Sequence, residues 1–277
     1  ATPKLFLDAE GQPLKFMEAV IGGRSVGTPG TVRLLEDVHR QYGRAEWASL
    51  LQPAAKLATE GFAVSPRLAA LIAADGDRLK SNEAARNYFF DASGAPLQVG
   101  AILKNPAYAE TLDAIASGGA DAFYKGPIAE GIVQTVRGAQ GNPGVLSLSD
   151  LANYRIKQRD PVCFSYRALD VCGMGPPSSG AVAVSQILGT IENFDIRGLG
   201  PQNPESWRLI GDAQRLAFAD RERYLADPDF VPAPTKGLIA KDYLAKRAAL
   251  LDDGKALPAD AVKPGEPEWD HAFNYGT

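Results

Sequence analysis

Apolar and polar residues follow one another with the spacing of helices over most of the chain. Segments in which apolar residues recur every three or four positions are bounded by residues typical of helix ends. Ser65–Pro66 and Asn105–Pro106 each place a capping side chain before a proline at the first helical position, and Thr31 is a third candidate cap. Gly43 and Gly61 each close a helix. The pattern therefore predicts a mostly helical chain.

The longest predicted helix begins near Asn203 or Ser206 and ends at an Asp-Pro stop signal. We expect its apolar stripe to face the core and its charged residues to face water. Four carboxylates near its end have a second interpretation as acid/base groups or Ca²⁺ ligands, but a solvated helix face is the interpretation that we favour. The stripe consists of Trp207, Ile210, Ala213, Ala217 and Phe218. The carboxylates belong to Asp220, Glu222, Asp227 and Asp229.

Two segments have the period-two alternation of β-strands. "FLDAEGQPLKF" predicts two short strands around a turn at Glu10–Gly11, and "PVCFSYRALDVCGM" predicts two strands that turn near Tyr166–Arg167. The second hairpin places Cys163 and Cys172 opposite one another, so that an oxidising compartment would allow a disulfide. Two buried thiols are the other interpretation, and the one that we favour.

Composition and charge narrow the class of protein. The chain has 277 residues, 45% of them hydrophobic, and a formal net charge of −4. Such a balance gives no basic field for nucleic acid and no polybasic membrane anchor, and the apolar runs are too short to span a bilayer. We recognise no signal peptide. From residue 252 onward Pro, Asp and Gly are frequent, so we predict one body over residues 1–251 and a linker and tail over residues 252–277.

Few motifs in the chain carry chemistry of their own. It has no dinucleotide-binding glycine motif, phosphate loop or nucleophile elbow, and its two histidines lack partners at ligand spacing, so we expect no metal and no cofactor. Arg24 lies in a glycine-flanked turn and is a candidate for binding an anionic substrate. The turn "GPPSSG" resembles an anion-binding helix start, but its prolines lack the amides that such a site needs, which favours a structural role. The turn residues are Pro176, Pro177, Ser178, Ser179 and Gly180.

Six segments in order resemble the large subunit of the γ-glutamyltranspeptidase family. They are "FLDAEGQPL", "GRSVGTPGTVRLLEDVHRQYG", "PAAKLATEGFAVSPRL", "DAFYKGPIAEGIV", "GPPSSGAVAVSQIL" and "RLAFADRERYLADPDFV". The proline-serine turn and the end of the long helix are the most specific of these. Ala181 departs from the family, which more often has a second glycine there.

The resemblance implies an α+β fold, the four-layer αββα sandwich of N-terminal-nucleophile hydrolases. This chain would be the helix-rich large-subunit portion, without its N-terminal part. The family's precursor cuts itself before a threonine, which becomes the first residue of a small subunit. "NYGT" resembles the left half of that cleavage site, so Thr277 is either the nucleophile or the residue just before the scissile bond. We expect the second, with the main nucleophile in the partner chain and the linker mobile once cut.

The function implied by the resemblance is cleavage and transfer of γ-glutamyl groups from glutathione-like substrates, in the periplasm or outside the cell. A cephalosporin acylase that accepts a glutaryl group is one alternative, and a non-catalytic scaffold subunit is another. The resemblance assigns no substrate-binding residue in this chain.

Overall fold

The computed structural model describes residue 2 and residues 4–270, and the chain divides into two compact units. The first unit is Ala1–Ile156 and the second is Lys157–Thr277. Residues 252–270 belong to the second unit, while the division at residues 251 and 252 stays a prediction. Thr277 and His271 lie outside the described residues.

The first unit is built from short helices and one small antiparallel sheet, in which β1 pairs with β2. Its core lies around Tyr124, Ala129 and Leu151, which are buried. Its elements are α1 Phe16–Val20, α2 Thr31–Tyr42, α3 Trp47–Glu60, β1 Phe62–Ala63, α4 Pro66–Ala74, α5 Gly76–Lys80, α6 Glu83–Phe89, β2 Ile102–Leu103, α7 Pro106–Gly118, α8 Asp121–Tyr124, α9 Pro127–Arg137 and α10 Leu148–Ala152.

Helix ends in this unit lie where the sequence predicts them, except that the N-cap of α2 is one residue earlier. The side chains of Ser65 and Asn105 cap α4 and α7 as predicted, and Gly61 ends α3 with a φ of +89°. Thr31 is the first residue of α2, but its N-cap is Gly30. A Cβ on Gly30 would lie 2.2 Å from the Tyr154 hydroxyl, so close packing requires glycine at the cap.

The strand pair predicted at the start of the chain is reduced to a single bridge. Leu7 pairs with Pro13 around a turn in which Asp8 accepts hydrogen bonds from the amides of Glu10 and Gln12. The second strand does not extend further because α1 begins at Phe16.

The second unit places one long helix beside two shorter ones and a hairpin. α11 packs against α13, α15 and the hairpin. The buried core lies around Phe164, Val182 and Leu244 on one side and around Leu209 and Leu216 on the other. Its elements are β3 Val162–Tyr166, β4 Leu169–Gly173, α11 Gly180–Ile191, α12 Ile196–Leu199, α13 Pro204–Tyr224, α14 Thr235–Leu238, α15 Lys241–Ala248 and two 3₁₀ turns, Ala249–Leu251 and Ala259–Ala261.

The β3–β4 hairpin turns where the sequence predicts. Tyr166 pairs with Leu169 across the turn, and Arg167 has a φ of +53°. Cys163 and Cys172 face each other and form a disulfide, so the favoured interpretation of two buried thiols is wrong. Strand alternation is the reason, because it buries Phe164 and turns both cysteines to the exposed face.

The buried face of α13 differs from the predicted stripe. Asn203 is the N-cap, as one of the two alternatives predicts. Ala213 and Ala217 are buried as predicted, whereas Trp207 and Phe218 are 63% and 43% exposed. Leu209 and Leu216 complete the buried face in their place. The buried face also contains two carboxylates, Asp212 and Asp220.

Candidate functional site

The most unusual group in the second unit is the Asp220 carboxylate, which has no exposed surface. Its Oδ2 accepts hydrogen bonds from Gln186 Nε2 at 2.8 Å and from the Tyr243 hydroxyl at 2.6 Å. Its Oδ1 accepts from the Gly265 amide at 2.8 Å and from Arg247 Nη2 at 3.3 Å. These four donors occupy the four lone-pair positions of the carboxylate.

These four hydrogen bonds explain how the negative charge of Asp220 can be buried. An ionised carboxylate without partners is very costly in a protein interior, and Arg247 supplies the opposite charge. Burial, with the hydrogen bond to Asp220 as a second cause, raises the pKa of Tyr243 far above its usual range, so that its hydroxyl remains a donor. The predicted solvated helix face is therefore wrong for Asp220, while Glu222 is exposed as predicted.

Asp220 belongs to a polar row along α13 that binds residues 252–270, which we call the docked segment. Arg208 Nη1 donates to the Lys255 carbonyl at 2.9 Å, and Arg215 Nη1 donates to the Leu257 carbonyl at 2.6 Å. The Leu257 amide donates to Asp212 at 3.0 Å. Side chains of α13 thus satisfy backbone groups that no sheet or helix pairs.

The far end of the docked segment is held just as closely. The Tyr224 hydroxyl donates to the Gly265 carbonyl at 2.7 Å, and Tyr224 packs edge-on against Trp269. The Glu268 backbone lies against Gly237, where a Cβ would come within 1.9 Å of the Glu268 carbonyl oxygen.

One further contact follows at the last described residue, where the Asp270 carboxylate accepts from the Lys236 amide at 3.1 Å. The expected mobile linker is therefore anchored as far as Asp270.

The proline-serine turn joins β4 to α11. Its Pro176–Pro177 peptide bond is cis. The Ser179 hydroxyl accepts a hydrogen bond from Arg221 Nε at 2.9 Å, and the Ser178 hydroxyl accepts one from the Gly180 amide at 3.4 Å. Among the described residues, neither hydroxyl is hydrogen-bonded to a histidine, lysine or carboxylate that would activate it as a nucleophile. This geometry supports a structural role for the turn, which stays a prediction.

The remaining carboxylates of the predicted cluster form ion pairs at the surface. Asp229 pairs with Lys157 and, at 2.8 Å, with Arg159, which also lies 3.6 Å from Asp227. The hydrogen bond from Arg159, followed by that from Lys157, lowers the pKa of Asp229 to about 2. No group of three or more His, Cys, Asp or Glu side chains with the geometry of a metal site occurs among residues 4–270.

Arg24 is half-buried, and its Nη1 donates to the Leu5 carbonyl at 2.9 Å. The guanidinium thus joins its turn to the segment near the start of the chain. Over the described part of the chain, no helix is long and apolar enough to cross a membrane.

Sequence reasoning misses the Asp220 network, although a signal for it exists. Leu209, Ala213, Leu216 and Asp220 recur at helical spacing, so the carboxylate lies in phase with the most apolar positions of the helix. A charged residue in phase with a buried stripe indicates a paired internal charge rather than a solvated face.

Comparison with known proteins relates the whole chain to one family. A sequence profile described as gamma-glutamyltranspeptidase matches residues 1–277. The chain is 37% identical over 266 residues to a glutathione hydrolase proenzyme of Escherichia coli (strain K12), covering 96% of this chain and 45% of that protein. It is 36% identical over 233 residues to the acylase ACY 1 proenzyme of Pseudomonas sp. (strain SE83), covering 84% of this chain and 41% of that protein.

A solved structure gives the same result at the level of the fold. The crystal structure of Helicobacter pylori gamma-glutamyltranspeptidase superimposes with a TM-score of 0.89 at 34% identity, covering 96% of this chain and 75% of that one. The fold is therefore that of an N-terminal-nucleophile hydrolase, of which this chain forms a helix-rich portion, and the predicted fold class is confirmed. The chain belongs to the γ-glutamyltranspeptidase family. It spans about half the length of the curated relatives that it matches.

Proposed function

We propose that this chain supplies the helix-rich part of a self-processing enzyme that hydrolyses and transfers γ-glutamyl groups of glutathione-like amides. The observation that carries the proposal is the 37% identity over 266 residues to a glutathione hydrolase proenzyme. The term proenzyme in that relative's name supports maturation by cleavage. The proposed partner is accordingly a small subunit from the same precursor, and the proposed location is the periplasm or the cell exterior.

In the proposed maturation, a threonine hydroxyl attacks the carbonyl carbon that precedes it. The peptide C–N bond breaks as the acyl group moves from nitrogen to oxygen, and water then hydrolyses the ester. This frees an α-amine with a reference pKa of about 7.7–8.0, which can serve as the base for the adjacent hydroxyl. Maturation thus creates the nucleophile and its base in one step.

In the proposed catalytic cycle, the same hydroxyl attacks the γ-glutamyl amide carbonyl. Backbone amides stabilise the oxyanion, and the amine leaves with the proton that the hydroxyl gave up. The resulting ester passes its acyl group to water in hydrolysis, or to the amine of an amino acid or peptide in transfer. We place the nucleophile as the first residue of the partner chain and Thr277 just before the scissile bond. This placement rests on the resemblance of "NYGT" to the left half of the family's cleavage site.

A glutaryl acylase is a second candidate. The 36% identity to the acylase ACY 1 proenzyme over 233 residues favours it specifically. A γ-glutamyl group carries an α-ammonium that a glutaryl group lacks. A carboxylate facing that ammonium would select the first substrate, and an apolar lining would select the second.

The two candidates are separated with the full-length, matured protein and a matched pair of chromogenic anilides. We expect turnover of the γ-glutamyl anilide with kcat/KM well above that of the glutaryl anilide. An acetyl anilide serves as the control for non-specific hydrolysis. Turnover of the glutaryl compound without turnover of the γ-glutamyl compound would establish the second candidate instead. Failure to turn over either compound after complete cleavage would contradict both.

A further inference from the structure

The docked segment is followed directly by the residues that lead to Thr277. Its described part ends at Asp270, whose carboxylate is held by the Lys236 amide. Seven residues of sequence lead from Asp270 to Thr277, and a trans polypeptide advances at most about 3.3–3.6 Å per residue. The position of the docked segment therefore limits where the predicted cleavage site can be placed.

Besides the contacts of Arg208, Asp212 and Arg215, two contacts near the end of the docked segment fix its position. At Gly265, the amide donates to Asp220 and the carbonyl accepts from Tyr224, so both backbone groups of one residue are bound. A shift that brought Pro264 to this point would leave the buried Asp220 carboxylate without one of its four donors, because proline has no N–H. Because an unsatisfied buried charge is costly, the register at Gly265 is strongly specified.

The second contact is steric. Gly237 is buried in α14, and the three atoms nearest to its missing Cβ all belong to the Glu268 backbone, at 1.9, 2.9 and 3.0 Å. The φ of Gly237 lies outside the left-handed region, so its backbone conformation does not itself require glycine. Space for the docked segment is what requires glycine at this position.

We propose that Asp220 and Gly237 are positioning residues for self-cleavage, because together they seat the docked segment and so place the peptide bond that is cut. The inference rests on the proposed function, since it presupposes that the precursor cuts itself. Asp220 and Gly237 are remote from Thr277 in sequence. The proposal gives them a role in maturation and no role in the later turnover of substrate. Asp220 acts through Gly265, and Gly237 acts through Glu268.

The test compares matched substitutions in the full-length precursor. Each precursor is synthesised by cell-free translation with a labelled amino acid, and its cleavage is followed after unlabelled amino acid is added. Gly237→Ala introduces a methyl group that the docked segment must make room for. Gly211→Ala introduces the same group on α13 where nothing lies within 4 Å. Asp220→Asn removes the buried charge, whereas Asp229→Asn removes a carboxylate from the surface of the same unit. The rate of appearance of the two fragments is measured for each variant.

We expect Gly237→Ala and Asp220→Asn to slow self-cleavage by about tenfold or more, since small misplacements of a reacting group have effects of this size. Gly211→Ala and Asp229→Asn should cleave at the wild-type rate. The kcat and KM of the fraction that has matured should be unchanged in all four variants. A merely structural role would instead lower activity and thermal stability together.

Three outcomes would overturn the proposal. They are wild-type cleavage rates for Gly237→Ala and Asp220→Asn, equal slowing in the two control variants, or a lowered kcat in the matured fraction. If both substitutions prevent folding, Tyr224→Phe provides the test, because it removes only the hydroxyl that binds Gly265. Self-cleavage of Tyr224→Phe at the wild-type rate would then contradict the proposal. A wild-type precursor that never cleaves would refute the proposed function itself, which distinguishes the two failures.

Discussion

At the scale of single residues, the second unit uses carboxylates in two different ways. Asp220 is buried and fully hydrogen-bonded, so it acts as a fixed structural acceptor. Asp229 lies near the surface, where the exposed Lys157 and the half-buried Arg159 pair with it. The sequence places both in one acidic run, and only their depth in the fold separates their roles.

The ion pair of Asp229 leads to a prediction about acid stability. Its pKa is lowered to about 2 in the folded chain, below the value of about 3.9 expected when unfolded. A lowered folded-state pKa contributes stability above about pH 4, and this contribution is lost as the pH falls toward 2. We therefore expect Asp229→Asn to lower the unfolding temperature near pH 6 and to match the wild type near pH 2.

The control for this measurement is Glu222→Gln, which neutralises an exposed carboxylate on the same unit. Thermal unfolding by circular dichroism between pH 2 and pH 6 gives the comparison. A constant difference between Asp229→Asn and wild type across this range would contradict the assigned ion pair.

At the scale of elements, local signals in the sequence predict helix ends better than helix faces. Ser65 and Asn105 cap their helices as predicted, because a cap depends on a few neighbouring residues. The face of α13 is misplaced because its orientation depends on α11 and α15, which pack on it from elsewhere in the chain. Within the polar row from Arg208 to Tyr224, the helical phase of Asp220 signals that it is buried. The partners of the row could not be anticipated, since they lie in a segment without periodicity.

The cap at Asn105 provides a direct test of an element. Its side chain accepts from the Tyr108 amide at 3.0 Å at the start of α7. We expect Asn105→Ala to lower the free energy of unfolding by about 1 kcal/mol, the usual cost of losing a cap. Asn105→Asp retains an acceptor and should stay close to the wild type in urea denaturation. Equal losses in the two variants would argue against capping as the cause.

The hairpin makes a separate prediction about its disulfide. Cys163 and Cys172 are separated by 9 residues, so the bond closes a short loop in the unfolded chain. Loss of this constraint in a Cys163→Ser/Cys172→Ser double variant should cost up to about 2–3 kcal/mol of unfolding free energy. Wild-type protein in reductant should show the same loss in urea denaturation. No change in either sample would mean that the cysteines are not bonded in solution.

At the scale of the whole molecule, the docked segment connects fold and proposed function. Composition predicts it to be mobile once the precursor is cut, since it has few residues able to form a core. The structure orders it by a different means, because α13 binds its backbone through Arg208, Asp212, Arg215 and Asp220. Thr277, the predicted residue of the cleavage site, lies beyond the described residues, and its role stays a prediction.

Hydrogen exchange tests whether the segment is held in solution. The amides of Leu257 and Gly265 donate to buried carboxylates, so they should exchange much more slowly than an unstructured peptide. The neighbouring Asp253 and Gly254 are exposed and provide an internal reference for fast exchange. Overlapping peptides analysed by mass spectrometry resolve the two regions. Equally fast exchange throughout residues 252–270 would show that the segment is not docked.

The central claim is that the full-length protein matures by cutting itself before a threonine. Intact-mass measurement of the purified full-length protein, before and after incubation, tests this most directly. We predict two fragments whose masses sum to that of the precursor plus one water, with threonine as the first residue of the second fragment. A single uncleaved species, or a second fragment that begins with another residue, would contradict the account.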